Sequence, residues 1–76
     1  MDARFNIYLH RGGEEQAFRF EFWKSASWKE FLHEANVMMD WNGDRLLDVH
    51  GAVVQLEDLA PEEHYRLEKR RCCVLL

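Results

Sequence analysis

Residues 27–39 constrain the fold of this chain more than any other stretch. Apolar side chains recur at Trp28, Phe31, Leu32, Ala35, Met38 and Met39. This is the i, i+3, i+4, i+7 stripe of an amphipathic α-helix, kept for about three turns. Lys29, Glu30, His33, Glu34 and Asn36 take the other side, and Val37 is the one apolar residue off the stripe. Ser27 can accept from the backbone N–H of Glu30 while the Glu30 carboxylate reaches back to the N–H of Ser27, a capping box, with Ala26 and Phe31 placed for a weak hydrophobic staple. Asn42-Gly43 is expected to stop the helix. A helix this short is marginal alone in water, so its stripe must be buried on something.

The flanking sequence supplies strands to cover it. Phe5, Ile7 and Leu9 alternate with Arg4, Asn6, Tyr8 and His10, the period-2 pattern of a half-buried strand. Residues 11–15, Arg-Gly-Gly-Glu-Glu, form a turn, and Phe18, Phe20 and Phe22 then alternate with Arg19, Glu21 and Trp23 to complete an N-terminal hairpin. Beyond the helix, residues 45–49 read as a short strand with Leu47 and Val49 inward. His50-Gly51 turns it and residues 52–54 return. Leu56 and Leu59 suggest one turn of 3₁₀ helix, and Tyr65 and Leu67 alternate with Arg66 and Glu68 in a last strand.

Seventy-six residues make one domain close to the lower size limit for folding unaided. A hydrophobic fraction of 47% with 13% aromatics argues for a packed core. The two cysteines, Cys72 and Cys73, are adjacent and do not normally bridge, so the sequence offers no disulfide framework. With no signal peptide or apolar membrane-spanning run, the chain is expected to be cytoplasmic. Residues 1–68 carry 7 basic against 14 acidic side chains, a balance that argues against nucleic-acid binding. A monomer is expected.

The order strand, strand, helix, two short strands, turn, strand points to an α+β fold. A capped helix crossing one face of a mixed sheet of four to five strands is the β-grasp arrangement of ubiquitin-like folds, and the βαβ handedness rule places the first and last strands parallel at its centre. A two-layer sandwich of other connectivity remains open on pattern alone.

Three segments resemble the doublecortin-type branch of the ubiquitin-like fold. The run Ile7-Tyr8-Leu9-His10-Arg11-Gly12-Gly13-Glu14 is similar to that family's first strand and its polar hairpin. The helix is the second segment. The third runs from Arg45 to Leu59, a strand, a glycine turn, a valine, then Leu56-Glu57-Asp58-Leu59, close to the family's Leu-Asp-Asp-Leu. Residues 62–67 fit its final turn and strand, and the KHA-type domains of potassium channels share the same outline. The resemblance covers residues 4–68 and implies a non-enzymatic protein-interaction module with tubulin or another cytoskeletal protein as its partner. Microtubule-binding members are generally basic, and the acidic balance here works against docking on acidic tubulin. A ubiquitin-type modifier is disfavoured, because the one Gly-Gly, Gly12-Gly13, lies in the hairpin turn.

No pattern among the titratable residues points to catalysis. His10, His33, His50 and His64 read as ordinary surface histidines, with no i, i+4 pair. Glu57-Asp58 and Glu62-Glu63 fall on exposed turns, and there is no nucleophile elbow, P-loop or dinucleotide fingerprint. No cofactor is expected. If the apolar strand positions face the helix, Arg4, Tyr8, Arg19 and Arg66 share the open face of the sheet. Arg66 should then stand near Arg4 or Tyr8, giving a candidate protein-binding patch. Trp23 and Trp41 are expected to pack over the two ends of the helix.

Residues 69–76 form a separate tail. Cys73-Val74-Leu75-Leu76 has the order of a C-terminal prenylation box, and the final leucine points to geranylgeranylation. A basic run, Lys69-Arg70-Arg71, precedes it, and Cys72 could be palmitoylated. Small GTPases and plant membrane-anchored ubiquitin-fold proteins end similarly. The tail is expected to tether the domain to the cytosolic face of a membrane, and the alternative is a soluble scaffold or microtubule-binding domain.

Overall fold

Alternating apolar and polar side chains make the first two strands. β1 (Arg4–Arg11) and β2 (Phe18–Trp23) pair antiparallel, with Ile7 opposite Phe20 and Leu9 opposite Phe18. In the computed structural model, which describes residues 4–69, they are followed by α1 (Trp28–Met39), β3 (Arg45–Leu47), a 3₁₀ turn (Leu56–Asp58) and β4 (His64–Glu68). The sheet order is β2-β1-β4-β3, with β1 and β4 parallel at the centre and β3 antiparallel to β4. The protein is thus α+β, with one mixed four-stranded sheet and one helix.

The helix lies on the sheet face that carries Ile7, Leu9, Phe20, Phe22, Tyr65 and Leu67, all buried. From α1 come Phe31, Ala35 and Met39, also buried, while Leu32 is half-buried and Trp28 and Met38 stay exposed at the margins of the stripe. Phe31 meets Phe20 and Phe22 edge-on, with ring centroids 5.2 and 4.9 Å away, and Trp28 stacks on it at 5.7 Å. Edge-to-face rings are a favoured aromatic geometry, and these contacts anchor the helix to β2. Phe18 and Leu56 are half-buried at the edges of the core.

The helix start follows the sequence. Ser27 Oγ accepts from the Glu30 N–H at 3.1 Å and the Glu30 carboxylate accepts from the Ser27 N–H at 3.0 Å. Its end does not. The chain leaves α1 through Asp40, in the left-handed region at φ 51°, and the Trp41 N–H returns to the Asn36 carbonyl at 2.9 Å. Gly43 has another task. It is buried against Leu67, where a Cβ would stand 2.5 Å from Leu67 Cγ, and the Asn36 side chain clasps its N–H and C=O at 2.8 and 2.9 Å.

The phase of β3 is shifted by one residue from the expected one. Leu46, opposite Leu67, enters the core, whereas Leu47, opposite Arg66, is buried on the other face apart from the main core. Val49 is 66% exposed, not inward. Asp48 causes this: its carboxylate accepts from the N–H groups of His50 and Ala52 at 2.8 and 2.9 Å, which turns the chain before Val49 could extend the strand. Residues 52–54 do return beside β3, the Asp48 N–H donating to the Ala52 carbonyl at 2.9 Å and the Val54 N–H to the Leu46 carbonyl at 3.0 Å, but they make one bridge, Val53 to Leu47, and no strand. A fifth strand is therefore absent from the described residues.

Candidate functional site

The face of the sheet opposite the helix carries the polar positions of three strands: Arg4, Asn6, Tyr8 and His10 of β1, Arg19, Glu21 and Trp23 of β2, and His64, Arg66 and Glu68 of β4. The ladder register sets which of them meet. Tyr8 lies between Arg19 and His64, His10 lies opposite Arg66, and Arg4 lies opposite Trp23. The expected patch is therefore divided. Tyr8 and Arg19 come together, but Arg66 neighbours His10, and Arg4 stands towards the far end of the sheet. The strands are parallel as expected, yet their offset is set by loop lengths that alternation does not report.

Each group has its own surroundings. Arg4 is engaged locally, its Nε 3.1 Å from Glu21 and its guanidinium carbon 5.2 Å from the centre of the Trp23 ring. Arg66 is 3.6 Å from Glu68 and passes beside Gly51. Such exposed pairs contribute about 0.2–1 kcal/mol each, so they hold these cations only loosely. Arg19 is exposed and has no ion pair among the described residues. Trp23, expected over a helix end, is instead 51% exposed on this open face. Trp41 does pack near the end of α1, half-buried, and Lys69 lies over its ring at 4.3 Å.

At the β4 end of the face the side chains converge on a groove of about 480 Å³. It is lined by His10, His64 and Arg66 of the sheet, by Glu14 and Glu15, and by the turn at Val49, His50 and Gly51. His10 Nε2 is 2.9 Å from His64 Nδ1, and His10 Nδ1 is 3.1 Å from the Glu14 carbonyl. Tyr8 stacks on His64 with ring centroids 4.9 Å apart, and its hydroxyl donates to Glu62 at 3.5 Å. The histidines are thus not all scattered. His10 and His64 stand 54 residues apart in the chain but touch across the central parallel strands. His64 was expected in the turn before the last strand, but β4 begins with it, and extending the alternation of Tyr65 and Leu67 back by one residue would have placed it outward.

Other candidates lie elsewhere. His33 is exposed on α1, and Glu57, Asp58, Glu62 and Glu63 are exposed on turns. Asp48 has its pKa lowered, chiefly because its carboxylate accepts from the Ala52 N–H, with smaller help from His50. Arg70, Arg71, Cys72 and Cys73 lie outside the described residues. Among the described residues no group of three His, Cys, Asp or Glu side chains is placed to hold a metal, and no helix is long and apolar enough to cross a membrane. No protein-family model matches the chain, and no curated protein matches it.

Proposed function

We propose that this chain is a non-enzymatic protein-interaction module of the ubiquitin-like β-grasp type, docking a protein partner on the open face of its sheet. The strand order β2-β1-β4-β3 with a helix across one face supports the fold assignment. One observation carries the function: Arg19, exposed and without an ion pair among the described residues, stands beside Tyr8 on a face that also exposes Trp23. Tyrosine, tryptophan and arginine are the residue types that dominate binding energy at protein interfaces. The matching partner surface brings carboxylates to Arg19 and an apolar rim to Trp23. A cytoskeletal partner fits the doublecortin-like segments, and the acidic balance of the domain sets a charge barrier to acidic tubulin.

The test compares the parent protein with Arg19→Glu and with Lys29→Glu on the helix, using partners recovered by affinity capture and microtubule co-pelleting. Arg19→Glu should lower affinity at least tenfold with little change in melting temperature, and Lys29→Glu should not. Retention of every partner by Arg19→Glu overturns the reading. A tether through a lipid on Cys73 extends the proposal, supported by the order of residues 69–76 alone. Intact mass of protein from eukaryotic cells decides it: an unmodified Cys73 with Leu76 still attached removes the tether.

A further inference from the structure

We propose that two copies of this chain associate through the outer edges of their β2 strands, joining their sheets into one, in place of the expected monomer. Among the described residues β2 pairs with β1 alone, so its other side is an unpaired backbone edge. The guards that usually blunt such an edge are missing. β2 has no proline or lysine, and its register with β1 runs from Phe18 to Trp23 without a bulge. The hydrogen bonds to β4 fix which groups the edge offers. The Tyr8 N–H donates to the Glu63 carbonyl at 2.9 Å, the Gly12 N–H to that of Leu67 at 3.0 Å, and the Glu62 N–H to that of Asn6 at 2.7 Å. The even positions of β1 therefore face β4. Phe5, Ile7 and Leu9 then bond Phe22, Phe20 and Phe18, which turns the N–H and C=O groups of Arg19 and Glu21 outward from the sheet.

The side chains select one pairing. Identical edges that meet with both helices on the same face run antiparallel about a twofold axis. A slip of one residue sets the phenylalanine face of one copy beside the polar face of the other. Of the registers that keep the faces together, one puts Arg19 opposite Arg19 and another Glu21 opposite Glu21, and like charges so placed repel. Larger shifts shorten the ladder. The register centred on Phe20 instead sets Arg19 of each copy opposite Glu21 of the other. It pairs nearly the full length of β2 and makes Arg19 and Glu21 the backbone-bonded pair, matching the groups that the edge offers. Both side chains are exposed, and Glu21, already 3.1 Å from Arg4, comes to lie between two cations. On the helix side, half-buried Phe18 meets Phe22 of the second copy, and Phe20 meets Phe20. Trp23, 51% exposed, falls opposite Ala17, whose small side chain leaves the ring room. The contact goes beyond docking on the open face and shares only Arg19 with it.

The test uses the full chain under reducing conditions, so that Cys72 and Cys73 cannot cross-link copies. Analytical ultracentrifugation follows its mass from micromolar to millimolar concentration. The parent should form a dimer. Arg19→Glu and Glu21→Arg should each weaken it at least tenfold, and the double swap, Arg19→Glu with Glu21→Arg, should restore it because the opposed charges again differ in sign. In the parent, which needs no variant to fold, amide hydrogen exchange at Arg19 and Glu21 should slow as concentration rises, while exchange in β3 stays constant. A parent that remains monomeric, a dimer indifferent to both single changes, or a swap as weak as either one overturns the pairing. Docking of another protein is read separately by capture: the swap takes the cation from residue 19 and should abolish docking while it restores the dimer.

Discussion

The indole N–H of Trp41 donates to the backbone carbonyl of Leu67 over 2.7 Å, and the same carbonyl accepts the N–H of Gly12 at 3.0 Å. One oxygen thereby joins the exit of the helix, the end of β4 and the turn after β1. Arg11 reinforces the junction, donating to the carbonyl of Met39 at 3.1 Å, where a cation also complements the helix dipole. Trp41→Phe removes the indole donor but leaves the carbonyl its second partner. The variant should lose about 1–2 kcal/mol in urea unfolding, with the slope of the transition unchanged.

Phe31 is the central contact between helix and sheet, 1% exposed and edge-on to two phenylalanines of β2. Phe31→Ala should cost about 3–5 kcal/mol, a large share of the stability of so small a domain. Calorimetry or chemical denaturation reads this directly. A loss below 1 kcal/mol would mean that the helix is not held by this contact.

Asp40 is unfavourable in two ways, as a non-glycine residue at φ 51° and as an anion at the negative end of the helix. Asp40→Gly should raise stability by about 1 kcal/mol, visible as a higher melting temperature.

The carboxylate of Asp48 is held below its ordinary value of 3.8 by the N–H groups it accepts, that of Ala52 first. A carboxyl whose pKa is lowered on folding stabilises the native state above the unfolded value, and this contribution is lost as pH falls through the folded value. The melting temperature of the parent protein should therefore exceed that of Asp48→Ala at neutral pH. The gap should shrink as pH drops below 3.8. A gap independent of pH would assign the effect to loop packing instead of charge.

Local chemistry was legible in the residues, and longer-range chemistry much less so. The capping box at Ser27 and Glu30, the buried faces of β1 and β2 and the 3₁₀ turn all follow from neighbours within a few positions. The phase of β3 does not, because Leu46 and Leu47 are both apolar and a pair of adjacent leucines carries no alternation. Residue preference puts the helix stop at Asn42-Gly43, whereas a tertiary demand sets the role of Gly43: room for Leu67. The open face was half legible. Outward positions could be named, but the strand offset that separates Arg4 from Arg66 and joins His10 to His64 is a property of the assembled sheet.

The parallel ladder at the centre of the sheet has a kinetic consequence. Tyr8 pairs with His64 and Arg11 with Leu67, so the middle of the sheet is built from the two extremes of the described chain. Among the described residues β3 has no ladder partner other than β4, and the inner edge of β1 is likewise open until β4 arrives. Closing so long a loop must precede any reward from those contacts, which slows folding relative to a helical domain of equal size. During synthesis the hairpin and helix can emerge and meet early. The domain as a whole can close only after its last strand has left the ribosome.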